Sequence, residues 1–489
     1  MGVIQRQSIK NFFTSYVGIL IGFVNILIIQ PRFLAPEELG LTRVLYSFSL
    51  LLCTFVPLGT ANISIKFFPK FRNPAKRHHG FFGFIIWSTF IGFILTACML
   101  LVFKNFFIGQ YLEKSKLFAD FFYFVFPLTF ILALITQLNT YCYSLYKSTV
   151  PSFINDIVMR VGIIALISLY YLKLFSLSTF IILFVSVYGT QIILLLIYIF
   201  YEDKPGFIID FSFFKTIGWK PLISFGLILW LSSISSTGLK ELATIILGTK
   251  VSLDNVAVYV VAAFIPTLIE APLNALDKIA TFNITTALSN NNLKIVDEIY
   301  KKSARYMLLI GGLLFLLVNG NIQSLLQFLP EKYRGGENIV FILSFGTLFN
   351  MATGLNSQIL VYSEKYFYGA LMMIIAVIIN FILQLLLIPH YGVIGAASAT
   401  ACSGIIMNSA NSIIVFKHYR LQPIDTNTFK VAALILVIGT VDYFIPHFLN
   451  AYSDIILHSG IIAALYVTGS YLLNFVPELV EYITGTIKK

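Results

Sequence analysis

The chain has 489 residues, of which 58% are hydrophobic and only 11% are charged, against roughly 45–50% and about 25% in an ordinary soluble domain. This composition, with a mean hydropathy of +0.87, excludes a soluble globular protein. The formal net charge of +11 does not indicate nucleic-acid binding, because the basic residues stand mainly at the ends of apolar segments, where insertion rules and anionic lipid headgroups place them.

Apolar segments long enough to cross a hydrocarbon core of about 30 Å as a helix recur from one end of the chain to the other. They are continuous rather than alternating, which excludes a spanning β-barrel. The pattern predicts an all-α, polytopic membrane protein with about fourteen transmembrane helices. The predicted spans are 11–34, 39–67, 81–106, 118–141, 153–172, 177–200, 221–239, 256–276, 307–325, 338–362, 366–388, 394–416, 431–449 and 455–475.

Most lysines and arginines fall at the N-terminus, at the C-terminus and in the loops that share their side of the membrane. By the positive-inside rule, this distribution places both termini in the cytoplasm. The densest basic loop runs from Lys66 to Arg77 and ends in His78 and His79, which we interpret as a loop pair at the lipid surface. The four cysteines are scattered and form no disulfide framework.

The clearest break in the apolar pattern is YEDKPGFIIDFSFFKTIGWK at 201–220, which is amphipathic enough to lie on the cytoplasmic surface. Spans one and seven are both followed by a short polar turn with an acidic residue. We therefore predict an N-lobe of six spans (1–200), the linker (201–220), a C-lobe of six spans (221–416) and an accessory pair with a cytoplasmic tail (417–489). A parallel repeat of this kind implies a pseudo-two-fold axis along the membrane normal.

Two motifs carry a family resemblance: IPHYGVIGAASAT at 388–400 and FLAPEELGL at 33–41. In the first, we expect Pro389 to end one helix and Gly392 to permit a tight turn. A small-residue row, Gly395, Ala399 and Ser403, should then let helix twelve pack closely.

Both motifs resemble those of bacterial polysaccharide and lipid-linked oligosaccharide flippases, and the run at 362–392 resembles the penultimate helices of that group. The fourteen-span plan is similar to that of the multidrug, oligosaccharidyl-lipid and polysaccharide exporter (MOP) superfamily, and most of all to its Wzx-type branch.

The resemblance implies a flippase that moves a polyprenyl-diphosphate-linked oligosaccharide, a repeat unit of O-antigen, capsule or exopolysaccharide, across the bacterial inner membrane by alternating access. Membrane lipids, a polysaccharide polymerase and chain-length machinery are the implied partners. Alternatives in the same superfamily are a cation-coupled multidrug exporter and a lipid II flippase. From another class, a membrane O-antigen polymerase or glycosyltransferase remains open, although the predicted loops are short for a catalytic domain.

No enzyme motif, cofactor motif or metal-ligand spacing is found in the sequence: HExxH, GxSxG and P-loop patterns are all absent. We therefore expect a protein that is not an enzyme and uses no cofactor. Charges inside the spans become the candidate site, because each costs about 2.5–3.5 kcal/mol near the bilayer centre on translocon scales.

Arg160 in span five has two interpretations. It stands four residues after Asp156, so the two side chains share a helix face and can form an internal ion pair. Alternatively, Arg160 faces a substrate cavity and binds the diphosphate, because a guanidinium presents paired donors to phosphate oxygens, with Asp156 tuning or releasing it.

Four further cations are cavity candidates: Arg32, Arg43, Lys66 and Lys240. In the flippases that this chain resembles, the first two helices of each lobe line a central cavity. That implies Arg32 and Arg43 near its outer mouth and Lys66 near its inner mouth. Anchoring at the membrane interface is the alternative for each of them.

Glu270 lies inside span eight between Pro266 and Pro272. Together with Asp156, it is a candidate for coupling transport to an ion gradient, since burial would favour its protonated form. The alternative is an acid that caps a kinked helix.

A sugar headgroup needs hydrogen-bonding side chains along its path. Asn350, Asn356 and Gln358 on span ten form the densest such group, and interhelical hydrogen bonds are the alternative role for polar residues of this kind.

Overall fold

A computed structural model describes residues 14, 17–446, 450–473 and 475. The start of predicted span one and most of the predicted cytoplasmic tail lie outside these residues. The described chain is helical and contains no strand. This is what continuous apolar segments dictate, because only a helix satisfies every backbone N–H and C=O group within a single span.

The chain forms two compact units, which meet in sequence between Ala257 and Val258. Within its described residues, the first unit holds the helices on which the first seven predicted spans fall. They are Val17–Phe33, the pair Pro36–Cys53 and Thr60–Phe71, Phe81–Val102, Val125–Ser144, Thr149–Tyr171, Leu177–Glu202 and Trp219–Lys250. Shorter helices of this unit are Pro74–Gly80, Lys104–Tyr111, Lys116–Phe121, Phe122–Phe124 and Phe211–Ile217.

Span eight begins at the unit boundary and continues into the second unit. It falls on the helices Leu253–Phe264 and Pro266–Ser289, and the second helix continues past the predicted end of the span at residue 276. The later spans are Leu293–Gly320, the bent pair Glu337–Ala352 and Asn356–Tyr362, Tyr366–Tyr419, Thr426–Tyr443 and Ala451–Leu472; Ile322–Gln327 and Glu331–Tyr333 are short helices.

Among the described residues, nine helices are long and apolar enough to cross a membrane, or ten if the bent pair counts as one span. One of the nine, Tyr366–Tyr419, has 54 residues and contains Gly392 in a non-helical conformation (φ 53°), so it holds spans eleven and twelve. The other predicted spans fall on shorter or interrupted helices. The prediction of an all-α membrane protein is confirmed, and the helices agree with about fourteen spans.

The turn at Gly392 differs slightly from its prediction. Pro389 lies inside the helix, and the chain turns at Gly392, whose positive φ favours glycine. After the turn, a Cβ on Gly395 would lie 2.3 Å from the Leu387 carbonyl oxygen. The amide of Asn380 donates to the Ser403 hydroxyl at 2.7 Å. The predicted close packing of span twelve is therefore present, and its partner is span eleven.

Span seven packs against span two within the first unit. The Trp230 indole donates to the Thr54 carbonyl oxygen at 2.7 Å, and a Cβ on Gly59 would lie 2.6 Å from the Gly226 carbonyl oxygen. The predicted lobes, which assign span seven to a C-lobe beginning at 221, stay a prediction.

Candidate functional site

Arg43 of span two is held inside the first unit by a neutral partner. Its Nη2 donates to Gln30 Oε1 at 2.6 Å, and Gln30 is only 7% exposed. Gln30 directly follows the π-helical stretch Val24–Ile29, an element that recurs at functional sites. A guanidinium has five N–H donors, and no other hydrogen bond of this one is found within the described residues. Arg43 can therefore bind a further acceptor.

An acid and two phenols surround Arg43. Glu241 of span seven is its electrostatic neighbour and is hydrogen-bonded to Ser47. The rings of Tyr46 and Tyr188 lie 5.6 Å apart beside it. The cluster therefore contains one cation, one carboxylate and several hydroxyl groups, so it can bind both acceptors and donors of hydrogen bonds.

Arg160 of span five packs against span one. Its Nη1 donates to the Gly18 carbonyl oxygen, and a Cβ on Gly22 would lie 2.3 Å from that nitrogen. Asp156 is the first of its charged neighbours, and its own Cβ lies close to Gly18. Asp156 belongs to a second π-helical turn, Ile154–Val158. Two glycines thus make room for the guanidinium and its neighbouring acid.

The remaining cation candidates lie at more accessible positions. Arg32 is exposed at the end of span one, and Lys240 is exposed on span seven, where the next residue, Glu241, takes the position near Arg43. Lys66 is exposed, with its Nζ 3.9 Å from the centroid of the Phe225 ring, which is cation–π geometry.

A cavity of about 500 Å³ in the second unit is lined by residues of the helices that hold spans eight and ten, among them the candidate Gln358. Gln358 Nε2 donates to Asp277 Oδ2 at 2.8 Å, and Glu270 acts on the same carboxyl through its charge. Thr281, Ser357 and Tyr362 complete the polar lining. Gln358 through its hydrogen bond and Glu270 through its charge therefore both act on Asp277. The sequence does not single out Asp277, because it lies just past the predicted end of span eight.

Asp277 is the first residue after predicted span eight (256–276), and it lies on the helix Pro266–Ser289. Burial raises the pKa of its carboxyl to about 6, and the nearby charge of Glu270 adds to the shift, while the hydrogen bond from Gln358 opposes it. The group can consequently exchange a proton near neutral pH.

The asparagines of span ten divide into two settings. Asn356 is 1% exposed, and its Nδ2 lies 3.0 Å from the Asn408 carbonyl oxygen and 3.2 Å from Ser412 Oγ. Those contacts tie span ten to span twelve. Asn350 is half-buried, and its carbonyl oxygen accepts a hydrogen bond from Thr353.

The expectation that His78 and His79 form a loop pair at the lipid surface is wrong, since they are 2% and 7% exposed. His78 Nδ1 accepts the Asn73 N–H at 3.0 Å, so Nε2 carries the proton that it shares with Asp203 Oδ1 at 2.7 Å. The Tyr141 hydroxyl donates to the second oxygen of the same carboxylate. Because 125 residues separate the histidine from its acid, no local motif reveals the pair.

His79 joins the same loop to the linker. Its Nδ1 lies 3.0 Å from Asp210 Oδ2, and its ring stacks on Phe213 with centroids 3.7 Å apart. Hydrogen bonds from Ser212 and His79 lower the pKa of Asp210 to about 2. These contacts hold three consecutive left-handed residues, Arg77 to His79, with φ of 46°, 53° and 52°, a conformation that costs roughly 1–2 kcal/mol per residue.

A second buried network lies in the accessory helices. His458 and Asp454 are both 0% exposed. His458 Nδ1 lies 2.6 Å from Asp442 Oδ1, and its Nε2 lies 3.5 Å from Asp454 Oδ1. The Ser324 hydroxyl donates to Asp454. An imidazole between two carboxylates ties together spans thirteen and fourteen.

Comparison with known proteins gives a family and a fold. A model of the polysaccharide biosynthesis protein family matches residues 6–282. No curated protein matches the sequence. The structure of the lipid II flippase MurJ in an inward closed conformation is 15% identical in sequence and aligns with a TM-score of 0.75. The alignment covers 97% of this chain and 99% of the MurJ chain.

Multidrug transporters show the same fold. An inward-facing MATE transporter of the MOP superfamily is 13% identical, with 88% of this chain and 96% of that chain covered and a TM-score of 0.60. A MATE transporter from Vibrio cholerae is also 13% identical, with 87% and 99% covered and a TM-score of 0.56. At such identities the likeness establishes the architecture.

The fold is thus that of a multi-pass membrane protein with the architecture seen in the MurJ flippase and the MATE transporters. Because the family model matches more than half of its length, the chain belongs to the polysaccharide biosynthesis protein family.

Proposed function

We propose that the protein is a flippase that moves a polyprenyl-diphosphate-linked oligosaccharide across the bacterial inner membrane by alternating access, with both termini in the cytoplasm. It acts by translocation and makes no chemical change in its substrate. Membership in the polysaccharide biosynthesis family supports the substrate class. The observation that carries the proposal is Arg43, a cation inside the first unit whose one hydrogen-bonded partner among the described residues is the neutral Gln30.

A diphosphate needs this kind of group. Guanidinium binds phosphate oxygens through paired, charge-assisted hydrogen bonds, and it keeps its charge in a partly desolvated site. Arg160 supplies a second cation in the same unit, held by the Gly18 carbonyl oxygen. The hydroxyl groups and the amide beside Arg43 can accept and donate hydrogen bonds, which suits a passing sugar.

We further propose that the second unit couples transport to an ion gradient. Asp277 binds and releases a proton near neutral pH, and Glu270 tunes it. Gln358 holds the carboxyl in place.

The same acids favour a second candidate function, a cation-coupled multidrug exporter, because a cationic drug would seek a carboxylate in the substrate path. A lipid II flippase is a third, chemically close candidate, since its substrate is also a lipid-linked diphosphate.

Transport in reconstituted vesicles separates these functions. Proteoliposomes containing the full chain would receive, in parallel, an undecaprenyl-diphosphate oligosaccharide, lipid II and a cationic dye. The proposal expects the first to cross at a rate well above that of protein-free vesicles. Movement of the dye without the oligosaccharide would replace it with the exporter, and movement of lipid II alone would assign the third function.

A further inference from the structure

A cavity of about 410 Å³ lies in the first unit between the helical turn Pro74–Gly80 and the linker that follows span six. Lys76, Arg77 and His79 line it from the turn, and Phe207, Ile208 and Asp210 line it from the linker. Nothing in the proposed transport mechanism uses this cavity.

The walls of the cavity are fixed by backbone contacts between the two segments. The Gly83 N–H donates to the Gly206 carbonyl oxygen at 3.2 Å, and the Asp210 N–H donates to the His79 carbonyl oxygen at 3.1 Å. A Cβ on Gly80 would lie 1.8 Å from the Ile208 carbonyl oxygen. The turn and the linker therefore form one built site rather than two loops that happen to be near each other.

The cations of this loop divide into two groups. Three of them lie over aromatic rings: Lys66, Lys70 and Arg72. The other two, Lys76 and Arg77, are exposed, and within the described part of the chain their side chains make no hydrogen bond or ion pair. The two cations that lack a protein partner are the two that line the cavity.

The acid in the cavity lining, Asp210, is already hydrogen-bonded within the protein. The Asp210 carboxylate accepts hydrogen bonds from the Ser212 hydroxyl and the Phe213 N–H and contacts His79. Lys76 and Arg77 together outweigh its single negative charge, so the cavity attracts an anion.

The linker side presents apolar groups to the surroundings. Phe207 is 50% exposed, Ile208 is 90% exposed and Phe211 is 59% exposed. A basic site beside exposed apolar side chains fits the boundary between lipid headgroups and acyl chains, where both kinds of group find partners.

We propose that this cavity binds the phosphate of an anionic membrane lipid, with Lys76 and Arg77 on the phosphate oxygens and Ile208 and Phe207 against the hydrocarbon chain. The site is independent of the transported substrate. Its test measures binding and not transport, so its failure is distinguishable from failure of the proposed function.

The experiment is equilibrium binding of a fluorescent phosphatidylglycerol to the full chain in neutral detergent, with fluorescent phosphatidylcholine as the neutral probe. Replacing both cations (Lys76→Gln with Arg77→Gln) should weaken phosphatidylglycerol binding about tenfold to thirtyfold, given the usual contribution of each basic residue near a membrane surface. The matched control (Lys301→Gln with Lys302→Gln) removes the same charge from two partly exposed lysines of another helix, which pair with Asp297 and Glu298, and should leave the affinity unchanged.

A second variant separates a lipid from a free phosphate. Ile208→Ser should weaken phosphatidylglycerol binding about threefold or more while leaving competition by inorganic phosphate unaltered. Equal losses in the two double variants would show that the effect is only net charge and would overturn the site. Phosphatidylcholine binding as tight as phosphatidylglycerol binding, or an unchanged affinity in Ile208→Ser, would overturn the lipid assignment.

Discussion

The polar sites described in the two units differ in their charged groups: guanidinium groups with neighbouring acids lie in the first unit, and a pair of acids lies in the second. In the first unit, the guanidinium groups of Arg43 and Arg160 are held by an amide and a carbonyl oxygen. In the second unit, Asp277 is held by the amide of Gln358, with Glu270 as its charged neighbour. A fixed cation suits an anionic substrate, whereas a carboxyl with a raised pKa suits proton exchange. The contrast suggests that substrate binding and coupling are divided between the units.

Removing the cation of the first unit should have the largest effect. Arg43→Ala is expected to lower oligosaccharide transport about 10- to 100-fold, because a charge-assisted hydrogen bond contributes about 1.5–3 kcal/mol. Arg43→Lys should recover part of the rate, since lysine keeps the charge and loses the paired donors. Initial rates in proteoliposomes measure both. Arg334→Ala, a change in an exposed loop, is the control, and equal rates for Arg43→Ala and Arg334→Ala would remove Arg43 from the site.

Asp277 of the second unit should set the pH dependence of the transport rate. Burial raises the pKa of Asp277 to about 6, so we expect its protonated form to predominate below that pH and the transport rate to change in a step centred near pH 6. Asp277→Asn should abolish the step. Glu270→Gln should move it to lower pH, because the neighbouring negative charge helps to raise the pKa of Asp277.

A pH series of vesicle assays tests this step. Asp254→Asn, at an exposed acid in the first turn of span eight, is the matched control and should keep the wild-type profile. If the step persists in Asp277→Asn, the coupling group lies elsewhere.

Displacing the Arg160 guanidinium should lower the transport rate by a moderate factor. A Cβ at residue 22 would lie 2.3 Å from Arg160 Nη1, so Gly22→Ala should push the guanidinium aside and lower transport about three- to tenfold. In an Arg160→Ala background, the same glycine change should have little further effect, because the clash is gone. In Gly189→Ala the new Cβ would lie 4.0 Å from its nearest neighbour, so this control should leave the transport rate unchanged. Additive losses in the double variant would contradict the contact.

The smallest expected effect concerns the turn of the second unit. Gly392→Ala should lower stability by about 1–3 kcal/mol, because φ 53° with ψ −128° is a strained combination for any residue with a side chain. Thermal unfolding in detergent measures the change. Gly404→Ala, where a Cβ meets nothing within 4 Å, should be neutral or slightly stabilising. If Gly392→Ala leaves the stability unchanged, the backbone of the turn has adopted a different conformation and the prediction is wrong.

The fold could be predicted from the sequence because its signal is local. Each span is an apolar segment that can be recognised alone, and the turn at Gly392 follows from a glycine within a short motif. The contacts of the site depend on side chains brought together from distant segments. Gln30 and Arg43 are close in sequence, yet only the structure shows that the amide oxygen accepts from the guanidinium.

The errors have the same origin. His78 and His79 look like surface residues because their acids, Asp203 and Asp210, lie more than 120 residues away. Asp277 was not predicted as a site residue because it follows the end of a predicted span. An acidic residue is common at such a position and does not by itself indicate a site. Long-range pairing of polar groups has no periodicity in sequence, so composition and spacing cannot reveal it.

The most direct test of the account varies the substrate charge and Arg43 together. Wild-type protein and Arg43→Ala would each be given the same oligosaccharide on a polyprenyl diphosphate and on a polyprenyl monophosphate carrier in vesicles. The account predicts that the wild type transports the diphosphate form faster and that Arg43→Ala loses this preference. An equal preference in both proteins, or no transport of either lipid by the wild type, would contradict it.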